Sequence, residues 1–585
     1  MQAGLDPEQR AAAEAAGPLM IIAGPGTGKT RTLTHRIAAD VTGRGLPPAA
    51  CLALAFTRRA AQEMRERLAV LIPRQAGQLT VTTFHGLGLL ILREHAVLAG
   101  LAAGFAVADD RARLAVAAEL AGSDRAARRL LAAATASPEH RAEFALALAG
   151  RGLVDLDGLV ELPLGLLRDH PVLAASLAAR WPRISVDEYQ DIDANQYALL
   201  RLLAGDGTGL TVIGDPDQAI YGFRGADVGF FLRFTADYPA ASTVQLTRNY
   251  RSVPAIVAGA LQAIGPASLV PGRRLVAVGS PAVPGPGGPA AAITFQVSPS
   301  EQAEAAWIAA TIDRLLGGSS FHSLDSGRAD GHGAHGLGLA DIAVLYRTDA
   351  QAGPVGQALT RAGFPFAKRT HDLLLRRTAV PEIVREMRLA DPAAASAAAA
   401  GEAGPVAARL ATAARRLAAR GADGGGGLRA VDVLAGAEVL APLAARCGAD
   451  LDRFFTEIAL GAEADALDPR AGAVTLLTLH AAKGLEFSVV FVAGCERDLL
   501  PLWLPGASGS QAGGHDLGEE RRLLFVGMTR ARTHLFLSCA AERRRHGQVT
   551  ATGPSPFLAA ISPALLARAA PPRPPRPADR QLRLL

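Results

Sequence analysis

Two adjacent carboxylates, Asp187 and Glu188, follow the apolar segment Ile184-Ser185-Val186 in the run Val186-Asp187-Glu188-Tyr189-Gln190-Asp191. Acids placed where a strand ends can divide the work of hydrolysis: the first holds a divalent cation, and the second takes the proton of an attacking water. The same string would also suit a solvated turn, so its meaning depends on its surroundings.

Upstream, the apolar stretch Leu19-Met20-Ile21-Ile22 runs into Ala23-Gly24-Pro25-Gly26-Thr27-Gly28-Lys29-Thr30. The pattern predicts a strand, a glycine loop and a helix. The glycines let backbone N–H groups curl around a phosphate chain at the helix N-terminus, Lys29 reaches the terminal phosphates, and the Thr30 hydroxyl ligates Mg²⁺. A full match to this loop after an apolar strand reads as a nucleotide site, and Asp187 and Glu188 become its expected partner acids. Usage points the same way. Of the 60 basic residues only three are Lys (29, 368 and 483), only two residues are Asn (195 and 249), and only six are Tyr. A chain that prefers Arg this strongly keeps Lys where a compact point charge is needed, as among phosphates.

Further strand-end loops carry donors and rings. Phe56-Thr57-Arg58-Arg59 follows Cys51-Leu52-Ala53-Leu54-Ala55, and Thr82-Thr83-Phe84-His85-Gly86 follows another short strand. Beyond the acids, Gly214-Asp215-Pro216-Asp217-Gln218-Ala219-Ile220-Tyr221-Gly222-Phe223-Arg224-Gly225 crowds an amide, two rings and an arginine into one loop. Such a mix suits single-stranded nucleic acid, because every base has a face that stacks on an aromatic ring. Burial of Tyr221 and Phe223 in a core is the plainer alternative.

Composition bounds the remaining choices. A chain of 585 residues should form several domains, roughly three to five. Its apolar content is broken up, and no run approaches the ~18 residues of a membrane span. The first residues lack the basic then apolar pattern of a secretion signal. Four scattered cysteines (51, 447, 495 and 539) give neither a metal-ligand spacing nor a disulfide framework, which fits a cytoplasmic setting. A net charge of +5 with pI near 9.2 is too slight to argue for nucleic acid alone.

The ordered motifs resemble those of superfamily-one DNA helicases of the UvrD, Rep and PcrA type, from Leu5 to about Leu558. They include Leu5-Asp6-Pro7-Glu8-Gln9, Gln245-Leu246-Thr247-Arg248-Asn249-Tyr250-Arg251-Ser252, Thr478-Leu479-His480-Ala481-Ala482-Lys483-Gly484-Leu485-Glu486-Phe487, and Glu519-Glu520-Arg521-Arg522-Leu523-Leu524-Phe525-Val526-Gly527-Met528-Thr529-Arg530-Ala531-Arg532. The resemblance implies an α/β fold: two RecA-like P-loop NTPase domains with parallel sheets, each interrupted by a mainly helical insertion. ATP would lie in the cleft between them and single-stranded DNA across their tops. On this pattern residues 1–92 and 181–262 form the first core, with 93–180 as its insertion. Residues 263–289 form a Pro- and Gly-rich linker, residues 290–366 and 472–562 form the second core, and 367–471 form a reduced helical insertion. Residues 563–585 form a disordered Pro/Arg tail. Gly317 to Gly338, with His322, His332 and His335, reads as a surface loop in preference to a metal site.

Site roles follow from the same resemblance. Gln9 would read the adenine edge and Tyr250 would stack on the base. The loop Ala23, Gly24, Pro25, Gly26, Thr27, Gly28, Lys29 and Thr30 would hold the phosphates, with Thr30 and Asp187 on Mg²⁺ and Glu486 on the ribose. Glu188 would act on water and Gln218 would sense the γ-phosphate. Arg251 and Arg530 would be arginine fingers, whose charge meets that of the transferring phosphoryl group. Phe56, Thr57, Thr83, His85, Tyr221, Phe223, Arg224 and His480 match positions that touch single-stranded DNA.

Two departures matter. Phe223 stands where the family usually has Trp, and the second insertion lacks the family's glycine-isoleucine-glycine duplex-contacting element. It carries instead the low-complexity runs Ala393-Ala394-Ala395-Ser396-Ala397-Ala398-Ala399-Ala400 and Gly424-Gly425-Gly426-Gly427. Three readings therefore stand open: an ATP-driven 3′-to-5′ helicase of repair or replication acting on single-stranded and tailed duplex DNA, a translocase that strips proteins from single strands, and a nucleotide-switched scaffold. A complete hydrolytic set argues against the last. No fused nuclease domain is expected, repair or replication proteins are conceivable partners, and oligomeric state is left open.

Overall fold

The computed structural model describes residues 4–278, 293–317, 337–369, 374, 379–389, 406–422, 429–460, 472–503, 516–545 and 548–568. The histidine-bearing stretch 318–336, residues 279–292, which take in the last part of the expected linker 263–289, the runs 393–400 and 424–427, and residues 569–585 of the expected tail lie outside them, whereas residues 563–568 at the start of that tail are ordered and end in the strand Leu566–Arg568. The chain divides into two compact units. The first comprises Met1–Tyr250, Ser268–Val276 and Lys368–Ala471, and the second comprises Arg251–Ala267, Ala277–Ala367 and Gly472–Leu585.

The first unit is built on six strands: β1 (Leu19–Ala23), β2 (Cys51–Ala55), β3 (Thr80–Thr83), β4 (Arg183–Val186), β5 (Leu210–Gly214) and β6 (Ser242–Leu246). They form one sheet in the order β3-β2-β4-β5-β1-β6, and each neighbouring pair is parallel. Strands covered on both faces need mostly apolar residues, which is why Leu19–Ala23 and Cys51–Ala55 read as continuous apolar runs and Leu210–Gly214 is broken only by Thr211, whose hydroxyl accepts from Arg36 Nε at 2.8 Å. One face packs on Leu33, Ile37, Met64 and Leu68, and the other on Leu87, Leu167, Leu199 and Phe231.

Parallel strands deliver their C-terminal ends to one edge of a sheet, the edge where α/β proteins bind ligands. Here the glycine loop follows β1, Phe56 follows β2, Phe84-His85 follows β3, Asp187-Glu188 follows β4, Asp215–Gln218 follows β5, and Thr247–Tyr250 follows β6. The motifs scattered along the sequence thus meet on one edge. Two of them also start helices: the Thr57 hydroxyl accepts from the Ala60 N–H at 3.1 Å, and the Thr83 hydroxyl from the Gly86 N–H at 3.1 Å. These are ordinary N-caps, each satisfying a donor the helix leaves open.

Helix Phe84–Glu94 crosses helix Gly158–Asp169 so closely that a Cβ on Gly88 would lie 1.6 Å from the Leu159 carbonyl oxygen. Gly88→Ala is therefore expected to destabilise the chain by about 1–3 kcal/mol as the helices are forced apart. Denaturant unfolding of the two proteins side by side checks this, and an unchanged midpoint would contradict it.

The stretch 367–471 contributes helices Val380–Leu389, Val406–Ala422, Ala430–Cys447 and Leu451–Leu460, which close over a separate core that includes Ile383, Leu410, Leu440 and Phe454. Residues 368–471 group with the first unit. Arg58 Nη1 donates to Glu457 Oε2 at 2.7 Å, which joins the last of these helices to the loop after β2.

The second unit carries another largely parallel sheet: β7 (Ile293–Ser300), β8 (Ile342–Tyr346), β9 (Phe366–Arg369), β10 (Val474–Thr478), β11 (Phe487–Val492), β12 (Ala531–Arg545), β13 (Gln548–Ala551) and β14 (Leu566–Arg568). Its order is β9-β10-β8-β11-β12-β7-β14, with β13 turning back on β12. Among the described residues, no helix is long and apolar enough to cross a membrane.

Part of the passage whose composition marks it as linker is structured. Residues Ser268–Val276 belong to the first unit, and Val276–Ala277 pairs with Arg248–Asn249 as a two-stranded ribbon. Glycine and proline there shape a fixed turn: Gly272 takes φ 61°, a left-handed conformation that glycine adopts at little cost.

Candidate functional site

The glycine loop has the form its residues dictate. Gly26 and Gly28 sit at φ 71° and 81°, left-handed conformations that let the chain curl tightly into the helix start. Gly28 precedes helix Lys29–Thr42 and supplies no side-chain cap, so the N-terminal donors of a 14-residue helix remain for an anion, aided by the helix dipole. Thr27 Oγ1 donates back to the Gly24 carbonyl at 2.8 Å and fixes the curve. A phosphate chain fits this cradle, and a Cβ in place of the hydrogens of Gly28 would strike Gln9 Nε2 at 2.7 Å.

The acids stand beside it. Asp187 is buried at the end of β4, and its Oδ1 accepts from the Glu188 N–H at 3.0 Å. Burial first, then the neighbouring Glu188 charge, pushes the Asp187 carboxyl well above the usual range. A divalent cation would reverse that balance, so the donor set of Thr30 hydroxyl and Asp187 carboxylate suits Mg²⁺. Glu188 lies at φ 51°, ψ 44°, a left-handed backbone that a non-glycine residue holds at a cost of about 1–3 kcal/mol and that recurs at functional turns. Its Oε1 pairs with Lys29 Nζ at 3.3 Å, and its Oε2 accepts from Gln190 Nε2 at 2.5 Å.

From Glu188 a chain of bonds runs along the strand ends. Gln190 Nε2 also donates to Asp191 Oδ2 at 2.9 Å, while its Oε1 accepts from the Asp215 N–H at 3.0 Å. Asp215 Oδ2 then accepts from Gln218 Nε2 at 2.6 Å. Three residues on, the Tyr221 ring stacks on Phe56 with centroids 5.0 Å apart and planes inclined by 22°.

The two rings of this loop have different fates. Tyr221 is 2% exposed and Phe223 is 64% exposed. Arg224, also exposed, lies over both, 5.8 Å from the Tyr221 centroid and 5.5 Å from that of Phe223. Phe223 and Arg224 thus form an exposed aromatic and cationic surface, with Tyr221 and Phe56 packed beneath it. His85 lies on the helix after β3, and burial lowers its pKa, favouring the neutral ring. His480 sits in the turn after β10, in the second unit.

Gln9 and Tyr250 flank the glycine loop. The Gln9 amide is engaged within the protein, donating to the Thr27 carbonyl at 2.9 Å and accepting from the Asp6 N–H at 3.2 Å. Tyr250 is tied by its N–H to the Gly26 carbonyl at 2.8 Å, its hydroxyl donates to Asp6 Oδ2 at 2.6 Å, and its ring is half exposed. The scarce Asn249 is buried beside it, donating through Nδ2 to the Pro25 carbonyl at 2.6 Å.

The second unit assembles its own cluster. Arg251 Nε donates to Glu486 Oε2 at 2.5 Å and its Nη1 to the Thr529 carbonyl at 3.3 Å. Arg532 pairs with the other Glu486 oxygen. Against the upward push of partial burial, Arg251 and Arg532 hold the Glu486 carboxyl down to about 2. Arg530 is buried, with Nη1 on the Leu485 carbonyl at 3.2 Å and Nε on the Val526 carbonyl at 3.0 Å. Arg251, Glu486 and Arg530 are thereby brought together.

Sequence reasoning passed over Arg273. Its guanidinium joins Asp215 and Asp217 from within the passage read as linker, where only the basic pair Arg273-Arg274 in a Gly/Pro setting gives a sign of it.

Residues 5–139 and 132–239 match the UvrD/REP helicase N-terminal domain, and residues 441–542 match the UvrD-like helicase C-terminal domain. The chain is 34% identical to ATP-dependent DNA helicase UvrD2 of Mycobacterium tuberculosis, over 96% of this chain and 82% of that protein. It is 31% identical to ATP-dependent DNA helicase PcrA of Leuconostoc citreum, over 94% and 83% of the two. Identity to DNA helicase II of Escherichia coli K12 is 28%, over 94% and 86%.

Proposed function

Because the chain belongs to the UvrD/REP helicase family, we propose that it is an ATP-dependent DNA helicase moving 3′ to 5′ along single-stranded DNA and opening tailed duplexes, in repair or replication. The observation that carries this is the bonded chain Lys29–Glu188–Gln190–Asp215–Gln218, which leads from the phosphate loop to the aromatic loop of Tyr221 and Phe223. A nucleotide-dependent shift at one end has a route to the DNA surface at the other.

In this reading the two parallel sheets belong to RecA-like domains with cores at 1–92 with 181–262 and 290–366 with 472–562, and 93–180 and 367–471 are the insertions that interrupt these segments. Lys29 pairs with the terminal phosphates of ATP and gives up Glu188, whose Oε1 is then available to orient and deprotonate the attacking water. Thr30 and Asp187 would hold Mg²⁺, which supplies neutralising charge on the phosphates. Gln218 senses the γ-phosphate, and Arg251 and Arg530 contribute charge to the transferring phosphoryl group. Tyr250 stacks on the base and Gln9 meets its edge, while Glu486, freed in part from its arginines, meets the ribose. Phe223 and Arg224 offer the open stacking surface of the DNA track, on which each stacked base is held by roughly 1–3 kcal/mol, while Phe56, Thr57, Thr83, His85, Tyr221 and His480 line or support it. The four cysteines are free and buried, which supports a cytoplasmic location.

A second reading, translocation without unwinding, draws support from the second insertion, whose described part is four helices and whose sequence lacks the family's duplex-contacting element. The two are separated by measuring ATP turnover with and without single-stranded DNA, then unwinding of duplexes with a 3′ or a 5′ tail, with Glu188→Gln as control. Stimulated turnover and opening of the 3′-tailed duplex alone are expected. Stimulation without unwinding would select the translocase, and DNA-independent turnover would overturn the motor.

A further inference from the structure

Asp215 and Asp217 are both completely enclosed, and two carboxylates placed together away from water cannot both stay ionised without a cation. That cation is Arg273, itself almost fully buried. Its Nη1 and Nη2 donate to Asp215 Oδ1 and Oδ2 at 2.7 and 2.6 Å, a bidentate fork, and Nη1 also reaches Asp217 Oδ2 at 2.8 Å. The turn that carries it is pinned to the same acid: Ser268 Oγ donates to Asp217 Oδ2 at 2.6 Å, and the Leu269 N–H donates to Asp217 Oδ1 at 2.6 Å.

The segment meets the rest of the nucleotide site as well. A Cβ on Gly24 would come within 2.7 Å of Leu275 Cδ2 and 3.0 Å of Arg273 Nη2, so the glycine loop and residues 273–275 are in contact. Val276 donates its N–H to the Thr247 carbonyl at 2.8 Å, beside Asn249 and Tyr250. One strap therefore touches the phosphate loop, the Asp215–Gln218 turn and the Thr247–Tyr250 segment.

What the fork fixes is the acceptor of Gln218. Asp215 Oδ2 receives both Arg273 Nη2 and Gln218 Nε2, so the Gln218 amide presents its NH₂ to Asp215 and turns its oxygen away from it. A protonated Asp215 would no longer demand a donor, and the amide would be free to turn over. We propose that Arg273 is a positioning residue for ATP hydrolysis, holding Asp215 ionised so that the Gln218 amide keeps the orientation in which it senses the γ-phosphate. Against burial, which acts the other way, the charge of Arg273 holds the Asp215 carboxyl below the usual carboxylate range.

The proposal rests on the role given to Gln218, and a double-mutant cycle on the full chain separates the two. ATP turnover at saturating single-stranded DNA is measured for wild type, Gln218→Ala, Arg273→Ala and the double variant, with fluorescent-nucleotide affinity and thermal unfolding recorded for each. Arg273→Ala is expected to lower kcat by about 10–100-fold, as loss of supporting partners around a reactive group does, with KM for ATP little changed. In the Gln218→Ala background the same substitution should have no further effect on kcat. Arg273→Lys guards against a folding failure: it keeps a charge but not the planar fork, and its smaller loss of kcat should likewise vanish when Gln218 is absent. Near-normal turnover by Gln218→Ala would overturn the role of Gln218 itself. Impaired Gln218→Ala with full additivity of either Arg273 substitution, or wild-type kcat in both, would overturn the positioning role alone.

Discussion

Glu188→Gln should bind nucleotide at least as tightly as the parent and lose about 10²- to 10⁴-fold in DNA-stimulated turnover, the usual contribution of a positioned general base. The substitution keeps the shape of the side chain and can keep its bond to Gln190, so the turn after β4 is preserved. It removes the negative partner of Lys29, which leaves the ammonium unopposed for a phosphate and favours binding. Affinity and turnover then move in opposite directions, which general damage to the fold cannot produce. Fluorescent-nucleotide titration alongside steady-state hydrolysis checks this, and retained turnover would remove Glu188 from the chemistry.

Much of the fold was legible because chemistry and strand ends coincide. Apolar runs ended by Gly24, Thr57, Asp187 and Asp215 mark parallel strands whose last residues turn into loops, and glycines at positive φ were required by the phosphate loop whatever the rest of the protein did. The selective retention of Asn249 has a structural reason in its bond to the Pro25 carbonyl. Less could be read where the deciding partner is distant. Tyr221 and Phe223 are two residues apart in one loop, and only the approach of Phe56 from β2 makes the first a support and leaves the second open. Arg273 lies in a passage of turn-forming residues that gives no periodic signal. Its significance depends on two carboxylates more than fifty positions earlier in the chain. The grouping of residues 368–471 with the first unit is likewise a matter of packing: amphipathic helices declare an apolar face, not the surface it will meet.

Those distant contacts also change what the acidic run does. Asp187 and Glu188 would be ordinary site acids if they ended at the metal and the water. Gln190 extends them, because one amide bonds Glu188 on its nitrogen side and the Asp215 backbone on its oxygen side. A buried amide with both ends engaged cannot turn without breaking one of them, so on the proposed mechanism a change in Glu188 on nucleotide binding would be felt at Asp215. From there it would reach Gln218, bonded to Asp215, and the turn that bears Tyr221.

Arg530→Ala is expected to give a chain that binds ATP and single-stranded DNA yet hydrolyses about 10³- to 10⁵-fold more slowly, the range for loss of an arginine finger. The residue is also part of the second unit's interior. Its guanidinium donates to the Val526 and Leu485 carbonyls and to Thr529 Oγ1, and stripping buried acceptors of a charged donor costs about 1–3 kcal/mol. A lowered unfolding temperature will therefore accompany the loss of turnover, and the two effects have to be separated. Arg530→Lys does so: a lysine can retain charge and some of the carbonyl contacts without the planar fork that matches a phosphoryl group. A purely structural arginine would let Arg530→Lys recover turnover in step with unfolding temperature. A finger would leave the lysine variant folded, able to bind ATP, and still slow. Nucleotide binding measured on the folded variants decides the matter, since loss of binding in proportion to turnover would assign Arg530 to the scaffold and not to the chemistry.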